Sequence, residues 1–360
     1  MKLDIIFAVE DPGAANFILG MPDELKKYEL TSEIISFGYA QRFLSERNIK
    51  NIKFDDNEGL EMILEKFEFK VLIAGTQQNP DSQILSLINL CRTNNILTIG
   101  IIDMMADFHL RFKGNTNEPL YYAPEYLVVP DTFTMKAFVN LGFKKSNIYE
   151  LMHPSLQRIK NRADKYPQEK IINKRISLLR NKTKNTEIWL FAGEPIFDDN
   201  RFMKDDKYTI SGRGKSKIRI HIILEEVLEI RNRRKIKPFL ILRMHPKNKL
   251  NDYSDYFNEI DMFSNDVDPL EDILCSDLIL GSSTIFLMEA FYAGRSTLSI
   301  IPKRGEEEWC PSVLQGLTPC AHTTDQIESE INKYKYKSIK KTKIPKNNNI
   351  GSIVESLLSS

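Results

Sequence analysis

Arg243, His245 and Lys247 alternate at the end of one apolar run, with Pro246 between the last two. A second apolar run ends at Gly281 and continues as Ser282-Ser283-Thr284 before a helical apolar stretch over 285–292. Hydroxyls and backbone N–H groups at a helix start suit an anion, because the aligned peptide dipoles leave partial positive charge there. Cations beside such a loop suit a phosphate diester or a diphosphate, with His245 as a charged donor near neutral pH. A third set lies near the start of the chain, where Glu10 and Asp11 precede Pro12, Gly13 and Asn16. A carboxylate there can take a proton from a hydroxyl, although Asp11 also has the position of a helix cap. Asp103, Asp107 and His109 form a further polar group in a loop rich in Met and Phe, where His109 reads first as a packed or surface residue.

The elements that must position these residues alternate along the chain. Segments 3–9, 31–36, 71–74, 97–102 and 126–129 read as strands, with helices expected over 40–46, 60–67 and 81–94. A second series follows, with strands at 187–191, 238–243, 276–280 and 296–301 and an amphipathic helix over 218–231. Such alternation implies mostly parallel sheets covered on both faces, with ligands beyond the carboxyl ends of the strands. The loops 10–16, 75–79 and 103–109 are then expected on one edge. The turn at Gly193 and Glu194 belongs to the corresponding edge of the second series. Consecutive strands are commonly neighbours, so the 243–247 strand end is expected to face Ser282 to Thr284.

At 360 residues and 42% hydrophobic, the chain is long enough for two cores. We read residues 1–160 as the first α/β domain, 161–184 as a solvated helical linker, 185–332 as the second domain, and 333–360 as a basic tail with a final helix. A net charge of +1 gives no field that argues for nucleic acid as a partner. Four cysteines stand far apart with no CxxC pair, so neither a disulfide framework nor a zinc site is indicated. Asp266 and Asp268 are spaced to hold a divalent metal against a diphosphate, but Asp268 before Pro269 reads as a helix cap, and Asp198 and Asp199 are no better placed. No metal and no resident cofactor are expected. The segment 197–215 fits neither a phosphate loop nor a dinucleotide fingerprint and reads as a mobile surface loop. Apolar runs are too short for a signal core or a membrane span, which implies a cytoplasmic protein. The basic run 333–346 reads as a solvated tail, with peripheral contact to an anionic inner-membrane face as the alternative.

Taken together, these motifs resemble those of GT-B glycosyltransferases, within the superfamily shared with UDP-N-acetylglucosamine 2-epimerases and bacterial capsule or lipopolysaccharide sugar transferases. The residues carrying the resemblance are Gly142-Phe143, Asn147-Ile148-Tyr149, His153-Pro154, Arg243 to Pro246, Ser276 to Ser283, Glu289-Ala290 and Gly294. The resemblance implies two Rossmann-like domains whose parallel sheets face across a cleft, acceptor in the first and nucleotide-sugar in the second. It implies that Ser282, Ser283 and Thr284 hold phosphate with His245, that Glu289 holds the ribose hydroxyls, and that Gly193 lets backbone approach the donor. Glu194, Arg243, Pro246 and Lys247 complete that side; Gly13 and Asn16 belong to the acceptor side, where Glu10 or Asp11 acts as base. A CMP- or UDP-sugar donor and a glycan or lipid-linked acceptor are the implied partners. The chain departs from the epimerases where their serine-glycine-glycine run is replaced by Ser283-Thr284-Ile285, and the glutamine and acid after it by Leu287 and Met288. Transfer is therefore expected over epimerisation, with an epimerase or hydrolase and a non-catalytic nucleotide-sugar binding protein as the other readings.

Overall fold

The computed structural model describes residues 1–55, 59–76, 78–105, 107–183, 185–196, 207–245, 247–265, 268–334 and 349–359. The chain divides into two compact units, Met1–Ser155 with Lys343–Ser360, and Leu156–Thr342. In the first, seven strands, β1 (Ile5–Val9), β2 (Ser32–Ser36), β3 (Ile52–Lys53), β4 (Val71–Gly75), β5 (Leu97–Ile101), β6 (Tyr126–Val129) and β7 (Ile148–Glu150), form one sheet in the order β3-β2-β1-β4-β5-β6-β7. In the second, β8 (Ile188–Ala192), β9 (Phe239–Arg243), β10 (Met262–Ser264), β11 (Leu278–Gly281), β12 (Ser296–Ile300) and β13 (Cys320–Ala321) are ordered β10-β9-β8-β11-β12-β13. Every strand pair is parallel, as two-sided burial and helical connections require.

The first strand of each sheet is apolar at every position because both of its faces are covered. In β1, Ile5, Phe7 and Val9 point into one layer of core while Ile6 and Ala8 point into the other. In β8 the split is Ile188, Leu190 and Ala192 against Trp189 and Phe191. Each sheet winds outward from its first strand and then restarts on that strand's other side, so a switch point lies between β1 and β4, and another between β8 and β11. Helices on either side of a switch point diverge, leaving a crevice beyond the carboxyl strand ends.

Three expectations change against the structure. The linker range 161–184 contains helix Gln168–Leu178, which packs on the second unit: Ile171 joins its core, and Arg175 donates to the Cys275 carbonyl at 2.6 Å and to both Asp277 oxygens at 3.0 Å. The final helix, Ile350–Leu358, belongs to the first unit, with Ile350, Ile353 and Val354 buried in its core and Gly351 seated against the Tyr28 ring, where a Cβ would come within 2.2 Å. The helix expected as amphipathic, Arg219–Asn232, is buried nearly all round, with Arg219, Glu225, Glu226 and Arg231 partnered internally. Glu225 accepts from the Arg213 N–H at 2.6 Å and the Tyr256 hydroxyl at 2.8 Å, and Glu226 from the Gly212 N–H at 3.1 Å. The bonds to Gly212 and Arg213 hold the segment expected as a mobile surface loop, of which 207–215 are described while 197–206 lie outside the described residues. So do Asp198, Asp199 and Asp266, and the basic run beyond Tyr334 up to residue 348. Among the described residues no helix is long and apolar enough to cross a membrane.

Candidate functional sites at the two switch points

In the first unit, Glu10 and Asp11 leave β1 while Thr76 leaves β4, so the switch point is lined by carboxylates. Asp11 caps helix Pro12–Ile18, its Oδ1 accepting from Gly13 N–H at 2.6 Å and Ala14 N–H at 3.1 Å. Glu10 accepts from the Ser82 hydroxyl at 2.5 Å. Asp103, which follows β5, completes the group. A Cβ on Gly13 would lie 2.3 Å from its Oδ2 and 3.1 Å from Asp11 Oδ1, so only glycine lets the two carboxylates approach. Buried Arg111 balances them, donating to Asp103 Oδ1 at 3.1 Å and to the Thr76 carbonyl at 2.8 Å. Burial pushes the Asp103 carboxyl up to about 6, with the nearby Asp11 charge adding to the rise and Arg111 opposing it. Asn16 lies partly buried within the helix that Asp11 caps. His109 is exposed, and Asp107, held at φ 53°, accepts from Gln78 Nε2 at 2.8 Å, apart from the Asp103 group.

In the second unit β8 separates β9 from β11, so the 243–247 strand end does not adjoin Ser282 to Thr284; Gly193 and Glu194 lie between them. Glu194 bridges the two sides. Its Oε1 accepts from the Ser283 N–H at 2.8 Å and the Ser283 hydroxyl at 3.1 Å, and its backbone carbonyl from Asn248 Nδ2 at 2.7 Å. Its Oε2 pairs at 2.5 Å with Arg219, which is only 2% exposed and also reaches Glu306 at 3.2 Å. The Cα of Gly193 is filled from inside the protein: a Cβ would meet the Tyr253 hydroxyl at 2.7 Å and the Arg243 carbonyl at 3.1 Å.

His245 Nδ1 accepts from the Lys247 N–H at 3.2 Å, which places its proton on Nε2. Burial holds the imidazole below its usual range and Lys247 adds to the effect, Glu194 opposing, so near pH 7 it is a neutral donor and not the charged one expected. Lys247 is exposed, and Pro246 lies outside the described residues. Ser282 is fully buried and its hydroxyl has no partner, whereas Thr284 Oγ1 accepts from the Phe286 N–H at 3.2 Å. Helix Phe286–Tyr292 carries Phe286 and Glu289 one turn apart. The Arg243 guanidinium lies 5.5 Å from the Phe286 ring and donates to Ser264 Oγ at 3.2 Å. Burial pushes the Glu289 carboxyl up to about 7 against the opposing charge of Arg243. Asp268 pairs with Arg162 and caps Leu270 at 3.2 Å. Among the described residues no group of three or more His, Cys, Asp or Glu side chains is arranged to hold a metal ion.

Sequence reasoning did not single out Arg111, Arg219 or Glu306. Their partners lie 8, 25 and 87 residues away along the chain, and no local pattern marks such contacts.

No protein-family model and no curated protein matches the sequence. Solved structures do. A UDP-GlcNAc 2-epimerase from Neisseria meningitidis bound to UDP-GlcNAc is similar at TM-score 0.63 and 14% identity, with 100% of each chain covered. The UDP-GlcNAc 2-epimerase from Methanocaldococcus jannaschii is similar at 0.63 and 16%, again over 100% of each chain. The H444N variant of the wall teichoic acid polymerase TagF is similar at 0.50 and 14%, over 99% of this chain and 89% of that one. At these identities the likeness speaks to architecture, and with the two parallel sheets it establishes the two-domain GT-B fold.

Proposed function

We propose that this chain is an enzyme acting on a nucleotide-activated sugar, and that it transfers the sugar from a CMP- or UDP-donor to a glycan or lipid-linked acceptor. The observation that carries the nucleotide assignment is the occurrence, after one strand end, of Ser283 donors aimed at an anionic group, the Glu194 carboxylate, and of Glu289, a carboxyl that burial pushes up to about 7, on the helix that follows. Ser283 and Thr284 hold the phosphates, the His245 Nε2–H donates to the developing phosphate charge, and Glu289 accepts the ribose hydroxyls. Arg243 favours the ionised form of Glu289 against its burial as the ribose docks.

In the first unit, proton removal from the acceptor hydroxyl falls to the Asp11–Asp103 pair. A base titrating near 6 is ionised at neutral pH yet still takes a proton readily. Asp11 spends its Oδ1 on two backbone N–H groups, which fixes its orientation, while Asp103 is the member with the raised affinity for a proton. Glu10, held by Ser82, orients the acceptor. The reading assigns no step to a metal, since backbone dipoles and side-chain donors meet the phosphate charge.

A second reading, a sugar-nucleotide epimerase, is favoured by the similarity over the full length of both chains to the Neisseria and Methanocaldococcus epimerases. The two readings diverge in their products. Incubation with UDP-GlcNAc and with CMP-sugars, with and without an acceptor glycan, separates them by product analysis. Acceptor-dependent release of nucleotide supports transfer; UDP released or a 2-epimer formed without acceptor replaces it with epimerisation. No turnover and no ligand-induced stabilisation by any nucleotide-sugar removes both.

A further inference from the structure

The donors expected for a phosphate are already engaged. Ser283 turns its N–H and its hydroxyl toward one point, and the oxygen at that point belongs to Glu194, at 2.8 and 3.1 Å. Glu194 is 4% exposed, and its other oxygen is held by Arg219, itself clamped by Glu306. We infer that Glu194 is an internal stand-in for the ligand's phosphate: in the free protein its carboxylate satisfies the Ser283 donors, and binding exchanges it for a phosphate oxygen. The inference deepens the nucleotide reading of the second unit and rests on it.

Electrostatics requires the exchange. A phosphate placed against Ser283 with Glu194 still there would set two anions within a hydrogen bond's length at a mostly buried position, where like charges repel strongly. Arg219 gives Glu194 a place to remain paired after it releases Ser283, because the guanidinium offers several donors in one plane. Glu306 already takes part of that plane, so Arg219 keeps a carboxylate in either arrangement. Meanwhile the Ser283 N–H is never left buried without an acceptor, a state that would otherwise destabilise the empty protein. The device holds the 282–284 loop in its binding shape before the ligand arrives and weakens phosphate binding by the strength of the contact it must release.

Calorimetric titration of whichever of UDP or CMP the full-length protein binds, alongside the matching nucleoside, tests this. Glu194→Gln keeps the shape and removes the competing charge; Glu194→Asp keeps the charge for Arg219 but withdraws it from Ser283 by one methylene, which guards against a misfolded first variant. Both are expected to bind the nucleotide more tightly, Glu194→Gln by about tenfold, the worth of one displaced charge-assisted hydrogen bond, while nucleoside affinity stays level. Glu328→Gln removes a carboxylate of the same unit that pairs with Arg233 and touches neither Arg219 nor Ser283, and leaves nucleotide affinity as it was. Nucleotide binding that is unchanged or weaker in both Glu194 variants overturns the stand-in and leaves the nucleotide reading intact. Failure of the unmodified protein and of every variant to bind UDP or CMP overturns both.

Discussion

The two switch points share a topology and carry opposite chemistry. Beyond β1 and β4 the loops carry the carboxylates Glu10, Asp11 and Asp103, the last two meeting at Gly13 and Asp103 pairing with buried Arg111. Beyond β8 and β11 it gathers hydroxyls, amides and an imidazole around a carboxylate that an arginine holds in place. In the function proposed above, one edge accepts protons and the other an anion. Because the strand ends are equivalent, the difference comes wholly from the loop residues: small ones let the carboxylates crowd in the first unit, and Ser283 turns its donors inward in the second.

The contrast is broken most severely at the buried arginines. Arg219→Ala strands Glu194 and Glu306 without a cation in a buried position, and is expected to cost about 3–5 kcal/mol, read as a lower denaturation midpoint of the second unit. Arg111→Ala is milder because Asp103 can escape by taking a proton. Its cost at pH 5 is expected at about 1–2 kcal/mol, the value of the lost hydrogen bonds. The sign with pH follows from linkage: the Asp103 carboxyl is raised from 3.8 to about 6, so the stability tied to its proton is present at low pH and lost as pH rises through about 6. Removing Arg111 raises that carboxyl further, so the variant loses more stability than the parent between pH 5 and 8. An equal loss at both pH values would contradict the assignment of Asp103 as the proton-accepting member.

Within the second unit the comparison sharpens between adjacent serines. Ser283→Ala removes a hydroxyl bonded to Glu194 and is expected to weaken nucleotide binding and lower stability by about 1 kcal/mol. Ser282→Ala removes a buried hydroxyl that has no hydrogen-bond partner, and its stability is expected within about 0.5 kcal/mol of the parent. Parallel thermal scans of the two variants decide the point.

Much of this arrangement was legible before the fold was known. Continuous apolar runs such as Ile5–Val9 and Ile188–Ala192 announce strands buried on both faces, and the polar residues just after them mark the strand ends where ligands sit. The edge strands Ile52–Lys53, Met262–Ser264 and Cys320–Ala321 were not, since two or three residues carry no period of their own. The final helix was visible as a helix, but its place beside Tyr28 depends on a contact more than 300 residues away in the chain, Asn349 to Tyr28 at 2.8 Å, separated by 321 positions. The site was half legible. Ser283 and Glu194 were both singled out as binding residues, yet that they bind each other follows only once β11 pairs with β8. Arg219 sat in a pattern read as a solvent-facing helix surface, because a charged residue buried by distant partners looks the same in sequence as one facing water.

The central claim is that Glu289 and Ser283 hold a nucleotide, and titration of UDP or CMP at pH 6, 7 and 8 tests it most directly. Burial pushes the Glu289 carboxyl up to about 7, and ribose hydroxyls donate to its ionised form, so binding releases a proton and affinity should rise with pH through 7. Glu289→Gln should bind more weakly and lose that dependence. Nucleotide binding that ignores pH across this range, or is unaltered by Glu289→Gln, would contradict the account.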